Sequence, residues 1–320
     1  MIIVTGAAGF IGSCIISGLN RKGYNDIIAV DVLRENDKWK NLRHLDFVDY
    51  LDRDQLLAYL RETDKVEAII HMGACSATTE RDAAYLMENN YRYTLRLAEY
   101  SVENKVRFIY ASSAATYGMG EQGYDDDETA LHKLRPMNMY GYSKQLFDLK
   151  ARREGWLTQM AGLKFFNVYG PNEYFKGDMA SVIFKAFNQI RETGQVRLFK
   201  SHRPDFKDGE QLRDFVYVKD VVAIILYLLE NPQINGIFNA GTGQARSFKD
   251  LVTATFKAMN LEPNIVYIDM PEEIRDRYQY FTEAKMDKLR RAGYDRPFYS
   301  LEDGVRDYVQ NYLVRDFAHL

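Results

Sequence analysis

The segment IIVTGAAGFIG, residues 2–12, constrains the fold more than any other stretch, because a short β-branched run passes directly into three glycines, Gly6, Gly9 and Gly12, and then into a helical apolar pattern. β-Branched residues favour an extended strand. Glycines after it allow a tight turn and let the backbone approach a bulky anion, which the free N–H groups at the following helix N-terminus then hold. A second apolar run, DIIAVD (26–31), ends in Asp31, 19 residues after Gly12, where a carboxylate reaches the adenosine ribose of a bound dinucleotide. A glycine triplet alone is a weak signal. Its strand-turn-helix setting and the acidic residue downstream make it a dinucleotide site.

Further apolar runs, VEAIIH (66–71) and VRFIYAS (106–112), alternate with amphipathic helical stretches. Continuous apolar strands separated by helices predict a parallel sheet covered on both faces, hence an α/β, doubly wound, Rossmann-like domain. Beyond about residue 167 glycine, proline and aromatic residues break the periodicity, which resumes in LRDFVYVKDVVAIILYLLE (212–230) as a strand and a helix. The reading is a dinucleotide-binding domain over 1–167 with a return segment near 213–240, and a smaller, interwoven substrate lobe over 168–212 and 241–320. Net charge is −3 with both signs interspersed, so no basic stripe points to nucleic acid. There is no basic leader and no membrane span, and the expected partner is a small molecule. Cys14 and Cys75 are too few and too far apart for a disulfide framework or a Cys-rich zinc site, so no metal is expected and a cytoplasmic location fits.

The chemistry is carried by MYGYSKQ (139–145), where Tyr140 and Lys144 are four apart and share one helix face. A phenol is a poor base at neutral pH, and a neighbouring ammonium together with a cationic nicotinamide favours the phenolate. Upstream, YASSAATYG (110–118) ends a strand in two serines at the sheet edge where open α/β folds bind ligands. Ser113 is placed to hydrogen-bond a reacting oxygen, and Ser112 is expected to bond its own backbone. Asp31 favours a free ribose 2′-hydroxyl, yet Lys38 and Arg53 downstream are either surface charges or partners of a 2′-phosphate, so NADP and NAD both stay open.

Four longer segments, NVYGPNEYFKGDMASV (167–182), LRDFVYVKDV (212–221), RYQYFTEA (277–284) and LRRAGYDRPF (289–298), carry a closer likeness. With the GxxGxxG turn, they resemble the ADP-L-glycero-D-manno-heptose 6-epimerase family, a branch of the extended short-chain dehydrogenase/reductases and of the NAD-dependent epimerases/dehydratases. The resemblance runs from the first strand to near the C-terminus. It implies an isomerase that inverts C6″ of ADP-D-glycero-D-manno-heptose for lipopolysaccharide inner core, through a transient ketone and a tightly held, recycled NADP. It also implies a homo-oligomer.

The resemblance further implies two bases on different walls, Tyr140 for one epimer and Lys176 for the other, while rotation of the substrate side chain presents either face of the ketone to one hydride. Lys176 can act so only if burial and a second cation lower its pKa, and phosphate pairing is its competing role. Family positions near the cofactor are Phe10, Ile11, Val32, Met72, Gly73, Ala74, Cys75, Ser76, Asn89 and Val168. Positions near the substrate are Asn167, Asp178, Lys185, Phe199, Arg213 and Tyr278, with Arg213 suited to a diphosphate. Four departures stand out: Met72 replaces a familiar glutamate, Asp178 a serine and Lys185 a histidine, and the 200–212 loop is longer. Asp178 repels a diphosphate unless Lys176 or Lys185 compensates. The rivals are a UDP-sugar 4-epimerase using Tyr140 alone, a dehydratase lacking its carboxylate pair here, and a non-catalytic dinucleotide-binding redox sensor.

Overall fold

The computed structural model describes residues 1–275 and 278–320; Arg277, the first residue of the RYQYFTEA segment, lies outside the described residues. In chain order the strands are β1 (Ile2–Thr5), β2 (Ile27–Asp31), β3 (Asp49–Asp52), β4 (Ala68–His71), β5 (Arg107–Ser113) and β6 (Met160–Phe165). They continue with β7 (Asn167–Tyr169), β8 (Val196–Phe199), β9 (Leu212–Tyr217), β10 (Gly236–Ala240), β11 (Ala245–Ser247) and β12 (Ile265–Ile268). Seven of them form an all-parallel sheet in the order β10-β6-β5-β4-β1-β2-β3. β1, β4 and β10 are buried along their whole length. That explains why they read as unbroken apolar runs, since both faces are covered by helices.

The sheet reverses direction of growth between β1 and β4, and ligands bind at such a switch point beyond the carboxyl ends of the strands. The helices that shape this crevice are α1 (Phe10–Arg21), α2 (Leu56–Glu62), α3 (Ala83–Leu86), α4 (Tyr93–Glu103) and α5 (Met139–Arg153). A single π-turn, Met87–Arg92, joins α3 to α4. Later in the chain come α6 (Val182–Thr193), α7 (Val218–Glu230) and α8 (Phe248–Ala258), and then the shorter α9 (Glu272–Arg275), α10 (Asp287–Arg291) and α11 (Leu301–Tyr308).

Three strands of the sheet, β3, β6 and β10, were not read as strands, β10 falling only within the return segment near 213–240. β3 reads DYLD, an edge strand with exposed and half-buried side chains, so it lacks an apolar signature. β6 reads MAGLKF, where glycine and lysine break the run although both are buried, the glycine because the Tyr110 ring fills the space a side chain would need. The 212–230 segment does form a strand and a helix, but they part company. β9 pairs with β7 and β11 in a small separate sheet, whereas α7 packs on α1 and leads into β10 at the edge of the large sheet. β8 and β12 pair in parallel beside them.

Candidate active site

The glycine turn closes by a hydrogen bond from Gly9 N–H to the Gly6 carbonyl at 2.9 Å. Gly6 has φ of +67°, and a Cβ there would sit 2.8 Å from the Gly73 nitrogen at the end of β4; a Cβ on Gly12 would come within 2.0 Å of the Gly6 carbonyl oxygen. No flexible side chain stands in either path, so both positions admit only glycine. α1 begins at Gly9 with no side-chain cap, which leaves its first N–H groups directed at the crevice. A cradle of this shape fits a pyrophosphate. Around it lies a cavity of about 250 Å³, lined among others by Gly9, Ile11, Met72, Ser76, Tyr140 and Lys176. A second, of about 270 Å³, is lined by Asp31, Val32, Arg53, Ala74, Cys75 and Asn89. Phe10 and Gly73 also line the first. A dinucleotide would extend across both.

At the second cavity Asp31 does not stand free. Its carboxylate accepts hydrogen bonds from Ala8 N–H (2.9 Å), Val32 N–H (2.7 Å) and Lys38 Nζ (2.6 Å). The ion pair with Lys38 offsets the negative charge that would otherwise repel a 2′-phosphate. Arg53 donates to Asn89 Oδ1 and lies 5.8 Å over the Tyr93 ring, and Arg34, absent from the sequence reading, lines the same cavity.

The structure brings Tyr140 to the lining of both cavities, with Lys144 on the first and Ser113 on the neighbouring one, and places Ser112 otherwise than expected. Ser112 does not bond its own backbone: its hydroxyl donates to Asp148 at 2.7 Å, because its side chain points into the packed layer between β5 and α5. Ser113 accepts a local bond from Ala115 N–H. Burial raises the Tyr140 pKa, and the neighbouring Ser113 hydroxyl opposes that rise. Lys144 donates to the Ala111 carbonyl at 2.8 Å, and burial lowers its pKa to about 8, with Asp148 pulling the other way. The expected lowering of the phenol by the neighbouring ammonium is therefore not produced by the chain's own groups, since Lys144 is turned toward a backbone carbonyl.

Beneath this trio lies a charged network that sequence reasoning missed. Asp148, two turns along α5 from Tyr140, pairs with Lys164 of β6 at 2.8 Å, both side chains wholly buried. Lys164 also donates to Thr116 Oγ1 at 2.6 Å, and Tyr110 donates to Asp148 at 3.0 Å. Two further buried groups were missed. Asn90, on the π-turn, accepts from Cys75 N–H (2.9 Å) and donates to the Cys75 carbonyl (3.0 Å) and Ser143 Oγ (3.2 Å), so one amide ties the cofactor loop to the helix bearing Tyr140. Insertions of this kind often accompany function. His71 sits between Thr5 (2.6 Å) and Thr94 (2.8 Å), and burial with Lys144 nearby drops its pKa to about 3. The adjacent asparagines of MENNYRY were the available signal for Asn90; a lone histidine closing a strand gave none.

A third cavity, of about 430 Å³, opens beside the first and is lined by Ser113, Tyr140, Asn167, Val168, Lys176 and Ser181 among others. Tyr140 and Lys176 line both cavities, from α5 and from the loop after β7. Lys176 lies 5.2 Å over the Phe10 ring, and burial lowers its pKa while Glu173 raises it. The remaining substrate candidates stand apart. Phe199, Arg213 and Tyr278 form one cluster, with Tyr278 6.3 Å from Phe199 and the guanidinium 5.3 Å over Tyr278 and 5.6 Å over Phe248. Arg213 already donates to the carbonyls of Leu212 and Gln279. Asp178 is exposed, and Lys185 meets its backbone carbonyl at 2.6 Å rather than its carboxylate.

The model of the NAD dependent epimerase/dehydratase family matches residues 2–241. The chain is 58% identical over 323 residues to the ADP-L-glycero-D-manno-heptose-6-epimerase of Nitratidesulfovibrio vulgaris (strain Hildenborough), with 100% of each covered. Its structure is similar to that of the Helicobacter pylori ADP-L-glycero-D-manno-heptose-6-epimerase, with TM-score 0.81, 29% identity and 97% and 95% of the two chains covered. The Thermus thermophilus UDP-glucose 4-epimerase, solved with NAD, gives TM-score 0.75 at 25% identity, covering 96% and 97%. The glycine cradle, the Tyr140–Lys144 helix and these likenesses agree: the chain belongs to the NAD dependent epimerase/dehydratase family, on its ADP-L-glycero-D-manno-heptose-6-epimerase branch.

Proposed function

We infer that the chain inverts C6″ of ADP-D-glycero-D-manno-heptose to give the L-glycero-D-manno epimer, supplying heptose for lipopolysaccharide inner core, with NADP held across the two cofactor cavities. The observation that carries this reading is that Tyr140, on α5, and Lys176, on the loop after β7, each line both the cofactor cavity and the cavity beside it. Gly6, Gly9, Gly12 and the N-terminus of α1 would hold the pyrophosphate, Lys144 the nicotinamide ribose, and Lys38 and Arg53 the 2′-phosphate. Bound there, the dinucleotide supplies reversible hydride acceptance.

The chain's own part is proton transfer and positioning. Tyr140 takes the hydroxyl proton of one epimer, with Ser113 holding the same oxygen. Lys176 takes that of the other, and its burial against Phe10 favours the neutral amine needed to accept a proton. Neutralisation of Asp31 by Lys38 supports NADP over NAD. The nucleotide would lie toward Phe199, Arg213 and Tyr278, with Arg213 exchanging its carbonyl partners for phosphate oxygens.

The test is interconversion of the two C6″ epimers by purified wild type, Tyr140→Phe and Lys176→Met without added cofactor, with the dissociation constants of NADP and NAD titrated on the same preparations. Each variant is expected to fall about 10²-fold or more. A wild type inert on both epimers overturns the heptose assignment, and full activity of Lys176→Met points to the single-base 4-epimerase chemistry instead.

A further inference from the structure

The loop that carries Lys176 is a wall between two voids. Its front is formed by Phe175 and Lys176, which line the cofactor cavity. Another cavity, of about 620 Å³, is lined by Tyr174 and Phe175, by Lys40, Asn41 and Arg43 among others, and by Asp316 to His319. With open space behind part of the loop, discrete contacts share with ring packing the task of holding it.

Asn172 is bonded to Asn41 (3.1 Å) and Ser13 (2.9 Å), and the loop's further contacts come from residues 316–320. The Tyr174 hydroxyl donates to the Ala318 carbonyl at 2.7 Å, and Leu320 N–H donates to Asn172 Oδ1 at 3.0 Å. The Phe317 ring wedges between Tyr174 (5.5 Å) and two rings of α6, Phe184 (5.8 Å) and Phe187 (6.3 Å). Asp316 and Phe317 adopt φ of +54° and +56° in succession. Side-chain-bearing residues take that conformation at a cost, and it persists only where the surroundings over-determine it. Between the two anchored residues, Glu173 is bound to Ser181 N–H and Oγ, both at 2.6 Å, and Lys176 N–H donates to the Glu173 carbonyl at 3.0 Å. Lys176 thus hangs from a segment whose flanks are tied to the tail.

We propose that residues 316–320 form a strap whose contacts with Asn172 and Tyr174 set the position of Lys176, making Tyr174 and Phe317 positioning residues for one of the two proton transfers. This rests on the reading of Lys176 as the second base. The strap shapes only one wall of the site, so its loss affects one epimer and leaves Tyr140 chemistry on the other intact.

The experiment uses full-length Tyr174→Phe, which loses only the bond to Ala318, and Phe317→Gly, which keeps the left-handed backbone and loses the wedge, with Phe317→Tyr as the conservative rescue. Single-turnover oxidation of each epimer is followed separately by the absorbance of the reduced nicotinamide, and amide exchange is measured over residues 172–177. The expected result is that the epimer slowed by Lys176→Met is also slowed about ten-fold or more by both strap variants, as small misplacements of a reacting group produce. The other epimer changes less than about two-fold, the Lys176 amide exchanges faster, and Phe317→Tyr restores the rate. Equal slowing of both epimers, or unchanged amide exchange, overturns the proposal. If Lys176→Met slows one epimer and the strap variants slow neither, the strap alone is refuted; if Lys176→Met slows neither, the two-base reading falls and the strap with it.

Discussion

Replacing Asp148 with asparagine isolates the value of the charge buried under the site. Asp148 and Lys164 are both 0% exposed, and the carboxylate accepts from Lys164 and Ser112 on one oxygen and from Tyr110 on the other. An asparagine can turn its carbonyl toward Lys164 and Ser112 and its amide toward Tyr110, whose hydroxyl then accepts. The hydrogen-bond count survives while the charge does not, leaving the ammonium with Thr116 as its other polar partner. Removing one partner of a buried pair costs about 3–5 kcal/mol, and the preserved hydrogen bonds put Asp148→Asn at the lower end, about 3 kcal/mol; Asp148→Ala, which strands all three donors, belongs at the upper end. Urea unfolding of the two single variants, of Lys164→Met and of Asp148→Asn/Lys164→Met supplies the measurement. The double variant should recover at least about half the loss, because no buried charge remains. An Asp148→Asn variant within about 1 kcal/mol of wild type, or a double variant as unstable as the sum of its parts, refutes the argument.

Gly12→Ala should abolish tight dinucleotide binding, weakening it about 10²-fold or more in titration calorimetry while the fold persists, since its Cβ meets the Gly6 carbonyl at 2.0 Å and only movement of α1 relieves the clash. A binding constant near wild type would mean the turn is softer than drawn. His71 gives a pH signature. Its folded pKa of about 3 lies below the ordinary 6.5, so the unfolded chain binds more protons between those values, and stability is full above about 6.5 and falls as pH drops toward 3. The loss attributable to this one group approaches about 4 kcal/mol, and His71→Gln, which does not titrate, should show a correspondingly shallower decline in unfolding free energy between neutral and acid pH. Parallel curves would show that His71 is not the group responsible.

What the sequence made legible follows from what local spacing encodes. Gly6, Gly9 and Gly12 sit within one turn, and Tyr140 and Lys144 within one helical turn, so their geometry is set by backbone periodicity alone. The apolar runs announced β1, β2, β4 and β5 for the same reason. β3 was silent because an edge strand needs no apolar face, and β6 because its glycine and lysine are buried only through partners, Tyr110 and Asp148, that lie far away in sequence. The bond of Ser112 to Asp148 turns on strand parity: successive side chains face opposite sides of the sheet, and which side holds Asp148 is a tertiary fact. Arg213 carried the right chemistry for a diphosphate; that two of its donors meet the backbone carbonyls of Leu212 and Gln279 is a tertiary fact its sequence setting did not encode.

One face of α5 carries Tyr140, Ser143, Lys144 and Asp148, which reach in turn the cavity beside the cofactor, the asparagine clasp, the cofactor cavity and the buried ion pair. Each residue of an α-helix advances about 100°, so deleting or inserting a single residue within this helix would swing all four away together. Such a helix tolerates substitution on its outer side and forbids length change. Segments such as the 200–211 connection between β8 and β9 carry no such constraint, since residues gained or lost there leave the register of α5 unchanged.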